Sequence, residues 1–303
     1  MPKRKASYQH RIIAIVYDFD GTLSPNNMQE DTILDAYGLN HKKFWARSNK
    51  LMRTKGYERT LAYLKLLACE EPFKKRPLTP RFLKKLAERI QYYPGVNTGY
   101  FESLQKFMNS IPEVKEWGIQ LEHYIISSGL KDILDGTSIH KYFKKIYACE
   151  YDYEKGRPIF PKLVINDTNK TQFLFRINKG KLELNESINQ HTPDQDRRIP
   201  FHNMIYVGDG LTDVPSMTVM HKAGGYAIAV YDPSKKVPVS VSDMVSEKRA
   251  EHFAPADFRD NALLVKIIQR TLKKIIHAVS YGASSQMSLD WVAKEYPAHA
   301  KKS

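Results

Sequence analysis

The run Ile12-Ile13-Ala14-Ile15-Val16-Tyr17, closed by Asp18-Phe19-Asp20-Gly21-Thr22, constrains this chain more than any other segment. A continuous apolar run leaves no polar face, so it reads as a strand covered on both sides, as in a parallel sheet between helices. Ligands gather at the carboxyl ends of such strands. Side chains at i and i+2 of an extended chain share one side, which puts both carboxylates in one space and turns Phe19 away. Two anions that close repel each other unless a cation or a shared proton separates them. Asp-Gly also begins ordinary turns, and a plain strand end is the rival reading of these residues taken alone.

A second acidic cluster far along the chain weighs against that rival. Met204-Ile205-Tyr206-Val207 is another short apolar run, followed by Gly208-Asp209-Gly210-Leu211-Thr212-Asp213. The glycines permit a sharp exit from the strand. Asp209 then falls at the strand tip, and Asp213 near the first turn of a following helix, where it could equally be an N-cap. Four carboxylates converging on one crevice make a hard oxygen site suited to Mg²⁺ rather than zinc, with Asp18, Asp20, Asp209 and Asp213 as the candidate metal group.

Two further segments follow the same logic. Tyr124-Ile125-Ile126 leads into Ser127-Ser128-Gly129-Leu130, a strand ending in hydroxyls and a glycine. Hydroxyls and free amides at a strand-to-helix turn form a phosphate cradle, although an ordinary capped turn has the same residues. Asn166-Asp167-Thr168-Asn169-Lys170 precedes an amphipathic stretch that Gly180 would stop. A lysine at a helix start opposes the macrodipole and calls for a compensating anion.

In this order, Asp-x-Asp-Gly-Thr, a strand ending in Ser, Lys, and Gly-Asp-Gly-x-x-Asp, the segments resemble the haloacid dehalogenase-like superfamily of phosphohydrolases. The match runs from about residue 12 to about residue 230. The resemblance implies an α/β fold: a doubly wound, Rossmann-like parallel sheet with an inserted helical cap and a small β-hairpin insertion, as in the phosphoserine-phosphatase-like branch. It implies hydrolysis of a small phosphorylated substrate through an aspartyl-phosphate. Asp18 would be the nucleophile and Asp20 the acid and base. Ser127, Ser128, Gly129 and Lys170 would hold the phosphoryl group, with Ser127 preferred as the motif hydroxyl. Mg²⁺ would sit on Asp18, the Asp20 carbonyl and Asp209, and Asp213 would bind metal or orient Lys170. The resemblance breaks at two places. Phosphoserine phosphatases carry a glutamate nine residues after the nucleophile, where this chain has Asn27. Their cap arginine falls at Ala62, with Arg59 nearby. Both departures argue against phosphoserine, and Trp45, Arg47, Arg53 and Arg59 become the candidate cap selectors.

Spacing sets the organisation. About 105 residues separate the first strand from the serine-tipped one, far more than one crossover helix needs. Amphipathic stretches at 31–37, 42–54, 57–68 and 80–92 fill that interval, so residues 27–92 are expected to form a helical cap. Residues 1–26 and 93–282 would form the core, and 283–303 a tail without an assigned element. Strands around the Lys155-Gly156-Arg157-Pro158 turn suggest the hairpin. A helix within 258–278 and an irregular excursion over 181–203 complete the picture.

The 303-residue chain carries a net charge of +14 and two cysteines. Two cysteines make no disulfide framework, and no stretch reaches the roughly 20 apolar residues of a membrane span. The basic N-terminus leads straight into the acidic motif, so no cleavable leader is expected and the location expected is cytoplasmic. The basic residues are scattered pairs and triplets rather than a block, which disfavours specific nucleic-acid binding without eliminating it. A nucleic-acid 3′-phosphatase and a noncatalytic binding protein are the alternative functions. Oligomeric state is not legible.

Overall fold

The computed structural model describes residues 10–295. Seven strands form one sheet: β1 (Ile12–Tyr17), β2 (Gln120–Leu130), β3 (Phe143–Glu154), β4 (Arg157–Leu163), β5 (Met204–Gly208), β6 (Tyr226–Tyr231) and β7 (His252–Pro255), ordered β4-β3-β2-β1-β5-β6-β7. All neighbours run parallel except β3 and β4, which pair as an antiparallel hairpin. Residues 13–17 of β1 have no solvent exposure, as a strand covered on both faces requires. The chain builds outward from β1 through β2 and β3, then returns to β1's other side at β5. That reversal is a topological switch point, which opens a crevice at the strand tips. Register aligns the tips, because Tyr17 pairs with both Ile125 and Val207.

Helices fill the interval between β1 and β2. A single π-helical turn, Glu30–Leu34, precedes the helices His41–Lys55, Arg59–Cys69, Glu71–Lys75 and Pro80–Leu86. Local chemistry sets their ends. Asn40 Oδ1 accepts from Lys43 N at 3.0 Å, and Gly56, at φ 67°, takes the left-handed turn that stops the first long helix. Thr79 caps the last of them, with Pro80 at its first position. These helices dock on the sheet through buried hydroxyls. Tyr63 Oη donates to Ser128 O at 2.6 Å, Tyr151 Oη to Leu64 O at 2.6 Å, and Thr60 Oγ1 to Ile165 O at 3.3 Å.

The structure refines several sequence expectations. The last helix, Leu263–Glu295, runs well past residue 278 and through much of the segment expected to be a tail. Helices Pro112–Trp117 and Val239–Ser246 and strand β7 were not legible. The polar excursion after Gly180 is stapled to the helix Lys170–Lys179, where Arg176 donates to the carbonyls of Lys181, Glu183, Leu184 and Glu186. Among the described residues no helix is long and apolar enough to cross a membrane.

Candidate functional site

Three strand tips and one helix start bring the sequence-predicted side chains together. Asp18 leaves β1 with its N–H bonded to Val207 O at 3.0 Å, which locks it to the β5 tip. Lys170 opens the helix Lys170–Lys179 and is 1% exposed. Its Nζ lies 2.8 Å from Asp18 Oδ2 and 2.8 Å from Asp213 Oδ1. This buried ammonium answers the question its position raised, because two carboxylates supply the anion that the helix start demands. Burial alone would lower the pKa of Lys170, but Asp18 and Asp213 override it and hold the charge firmly on.

Asp213 is sealed and fully used. Oδ1 also accepts from Tyr206 Oη at 2.6 Å, and Oδ2 accepts from Asp209 N at 3.2 Å. It lies at the cap position of the helix Val214–Lys222 without a side-chain cap bond, so the N-cap alternative does not describe it. Tyr206 was missed by sequence reasoning because its hydroxyl hides inside an apolar run. Two glycines create the room. A Cβ on Gly208 would lie 2.4 Å from Asp213 Oδ2, and one on Gly21 would lie 2.2 Å from Asp209 Oδ2.

One oxygen each from Asp18, Asp209 and Asp213 lie within 4.8 Å of one another. Burial raises the pKa of Asp18, opposed by Lys170, and burial raises that of Asp209, reinforced by Asp213 and Asp18. Asp20 is raised as well, first by burial and then by the Asp18 charge. When ionised, these carboxylates outnumber the single ammonium, and a hard divalent cation fits their oxygen donors. Asp20 Oδ1 accepts from Met28 N at 2.8 Å, and the residue lines the crevice.

At the β2 tip the pairing with β3 breaks register between Ile126 and Leu130. Ser127, 1% exposed, accepts from Gly129 N at 3.0 Å through Oγ, so that amide is already committed within the turn. Ser127 and Ser128 both reach the crevice. The crevice is a cavity of about 400 Å³ bounded on the sheet side by Asp18, Asp20, Asp167, Lys170 and Asp209. Helices of the insertion close it from the other side with Trp45, Ser48, Asn49, Arg59, Thr60 and Tyr63. Of the four selector candidates, Trp45 and Arg59 line this cavity. Arg47 instead pairs with Glu70 at 2.9 Å, and Arg53 is not on the lining. Gln29, Asn49 and Asp167 were missed, since isolated amides and a loop aspartate carry no pattern.

No family model matches the chain. An uncharacterized protein of Borreliella burgdorferi is 29% identical over 290 residues, spanning 87% of this chain and 98% of its own length. Among solved structures, a probable phosphoserine phosphatase from Vibrio cholerae superposes with a TM-score of 0.53 at 16% identity, over 89% of this chain and 67% of the other. A substrate-bound phosphoserine phosphatase complex gives 0.50 at 17% identity, over 85% and 97%. A haloacid dehalogenase-family hydrolase from Salmonella enterica serovar Typhi gives 0.50 at 16% identity, over 80% and 67%. The chain has the haloacid dehalogenase-like fold of the phosphoserine-phosphatase type.

Proposed function

We propose that this chain is a Mg²⁺-dependent phosphatase that hydrolyses a small phosphomonoester through an aspartyl-phosphate. The observation that carries the reading is Lys170 Nζ, shared at 2.8 Å by Asp18 and Asp213, beneath a cavity that Asp18 and Asp20 both enter. A purely structural ion pair would not need a second, separately aimed carboxyl beside it.

In the proposed reaction an Asp18 oxygen forms a bond to phosphorus in line with the departing ester oxygen, whose P–O bond breaks. Asp20, whose carboxyl is biased toward the protonated form by burial and by the charge on Asp18, gives its proton to that alkoxide. It then takes a proton from the water that cleaves the acyl-phosphate, releasing inorganic phosphate and restoring Asp18. Lys170 offsets charge on the nucleophile and on the transferring oxygens, and Ser127 positions the phosphoryl group. Asp213 holds Lys170 and the Asp209 backbone, which makes it a positioning residue. Mg²⁺ would be held by Asp18, Asp209 and the Asp20 carbonyl, and when bound it supplies charge neutralisation between phosphate and carboxylates.

The test is phosphate release from p-nitrophenyl phosphate and a panel of phosphorylated metabolites, with Mg²⁺ and with EDTA. Asp18→Asn should lower turnover by about 10³-fold or more while leaving the circular dichroism spectrum unchanged. Folded, Mg²⁺-supplied wild-type protein that releases no phosphate across the panel would overturn the reading in favour of a binding role.

A further inference from the structure

The chemistry just described uses only one wall of the cavity. The opposite wall holds an aromatic ring, three amides and one guanidinium, and the sheet side adds the carboxylate of Asp167. Trp45 is half-buried and held in place. Its Nε1 donates to Glu30 Oε1 at 2.5 Å, and its ring packs edge-on against Phe44 and Tyr63, with centroids 5.3 and 5.9 Å away. Gln29 is 2% exposed and lines the cavity, yet its Oε1 has no hydrogen-bond partner among the described residues. A buried amide left with unused capacity costs stability unless something supplies a partner. Asn27 and Asn49 stand at the mouth. Asn27 Nδ2 is bonded to Glu30, which leaves its Oδ1 open, and the Asn49 side chain makes no hydrogen bond among the described residues. Arg59 and Asp167 line the same space, and neither side chain forms an ion pair or hydrogen bond among the described residues.

We infer that the group released from phosphate is a nucleoside, so that the substrate is a nucleoside monophosphate, free or at the end of a strand; the inference rests on the phosphatase reading above. A fixed aromatic face stacks a planar base. Side-chain amides carry a donor and an acceptor side by side and pair with base edges bidentately. A partly buried, unpaired carboxylate accepts from sugar hydroxyls. Arg59 takes an outer phosphate or stacks on the base. Residues 27–92 carry 15 Lys and Arg against 7 Asp and Glu, a field that attracts nucleotides. An amino-alcohol leaving group accounts for less of this wall. Asp167 could take its ammonium, but the ring of Trp45 and the amides of Gln29 and Asn49 would then meet no planar group, and Glu30 already accepts from Trp45 and Asn27. A bare sugar would leave the amides without base edges to read.

The experiment compares kcat/KM for 3′- and 5′-nucleoside monophosphates, a 3′-phosphorylated oligonucleotide, ribose 5-phosphate, O-phosphoserine and p-nitrophenyl phosphate. At least one nucleotide form should exceed ribose 5-phosphate by about ten-fold or more. Trp45→Ala should pull that ratio down about ten-fold, while Trp45→Phe keeps most of it. A preference for the oligonucleotide assigns the strand-end source, and a preference for mononucleotides the free one; either supports the inference. Ribose 5-phosphate or phosphoserine matching the nucleotides overturns it, as does a ratio unmoved by Trp45→Ala. Calorimetric titration of Asp18→Asn with the same ligands separates the two readings. Nucleotide binding to this variant, with wild-type protein inactive on every ester, would sink the phosphatase reading alone. Turnover of p-nitrophenyl phosphate without selective nucleotide binding would sink the nucleoside alone.

Discussion

Lys170 is the residue on which the site's electrostatics turn. With 1% exposure it compensates two carboxylates at once, and replacing it by an apolar side chain strands both in low dielectric. Lys170→Met should therefore cost about 3–5 kcal/mol, read from urea midpoints. Carboxyls that can protonate need no partner, so the deficit should shrink as pH falls, and Lys170→Met/Asp213→Asn should recover part of it. An unchanged midpoint would mean the three groups are not coupled. Gly21 is the second pivot. Its φ of 77° and the 2.2 Å separation between a built Cβ and Asp209 Oδ2 leave no room for alanine without moving Asp209. Gly21→Ala should raise the Mg²⁺ concentration for half-maximal activity by about 10- to 100-fold, measured by metal titration of the rate. Asp18, Asp20 and Asp209 were legible because strand periodicity and tip position suffice to place them. Tyr206, Gln29 and Asp167 were not, because only tertiary structure brings a hydroxyl inside an apolar run, or a lone amide, to the crevice.

At the scale of elements, legibility followed apolar periodicity and failed where polar residues were satisfied from a distance. The sequence suggests a strand that starts at Tyr124 and ends in hydroxyls and a glycine, yet β2 begins four residues earlier and spans Gln120–Leu130. Glu122 belongs to it because Arg198 grips both carboxylate oxygens, at 2.6 and 2.7 Å, from 76 residues away in sequence. His123 belongs because its ring stacks on Tyr17 at 5.9 Å and lies edge-on to Phe101 at 5.2 Å. Strand β7 is four residues long at a sheet edge, too short for periodicity to show. The buried histidine makes a prediction. Burial lowers its pKa from 6.5 to about 4, so the native state keeps His123 neutral where the unfolded chain protonates it. The unfolded chain binds the extra proton between pH 6.5 and 4. Stability from this group is then full above the ordinary histidine pKa and is lost as pH falls through that window, by about 3 kcal/mol in all. Urea denaturation at pH 7 and pH 4 should show this fall in the wild type. His123→Phe, which preserves the aromatic packing, should show a fall smaller by that amount; equal falls would contradict the assignment.

For the whole molecule, the uneven charge couples the insertion to the crevice it overhangs. Helix His41–Lys55 contains no acidic residue and contributes Trp45, Ser48 and Asn49 to the cavity. On a 100° helical projection Lys42 and Arg53 share the stripe of Trp45 and Asn49, so their charges lie on the helix face that contributes to the cavity. Both are exposed and unpaired by any carboxylate among the described residues, which leaves their field to act on approaching anions. The composition made the excess charge legible, but scattered pairs in the sequence gave no hint that one helix would bring them over a strand-tip site. Attraction of this kind acts on encounter rather than on the bound state, and salt screens it over about 10 Å at 0.1 M. The rate constant kcat/KM for a phosphate ester should thus fall several-fold between about 0.02 and 0.3 M NaCl at saturating Mg²⁺, with kcat changing little. Location is testable separately from net charge. Lys42→Glu/Arg53→Glu should flatten the salt dependence, whereas Lys266→Glu/Arg270→Glu on the helix Leu263–Glu295 makes the same change in total charge and should leave most of it. Equal flattening by the two pairs would show that total charge governs the encounter and that the arrangement over the cavity does not.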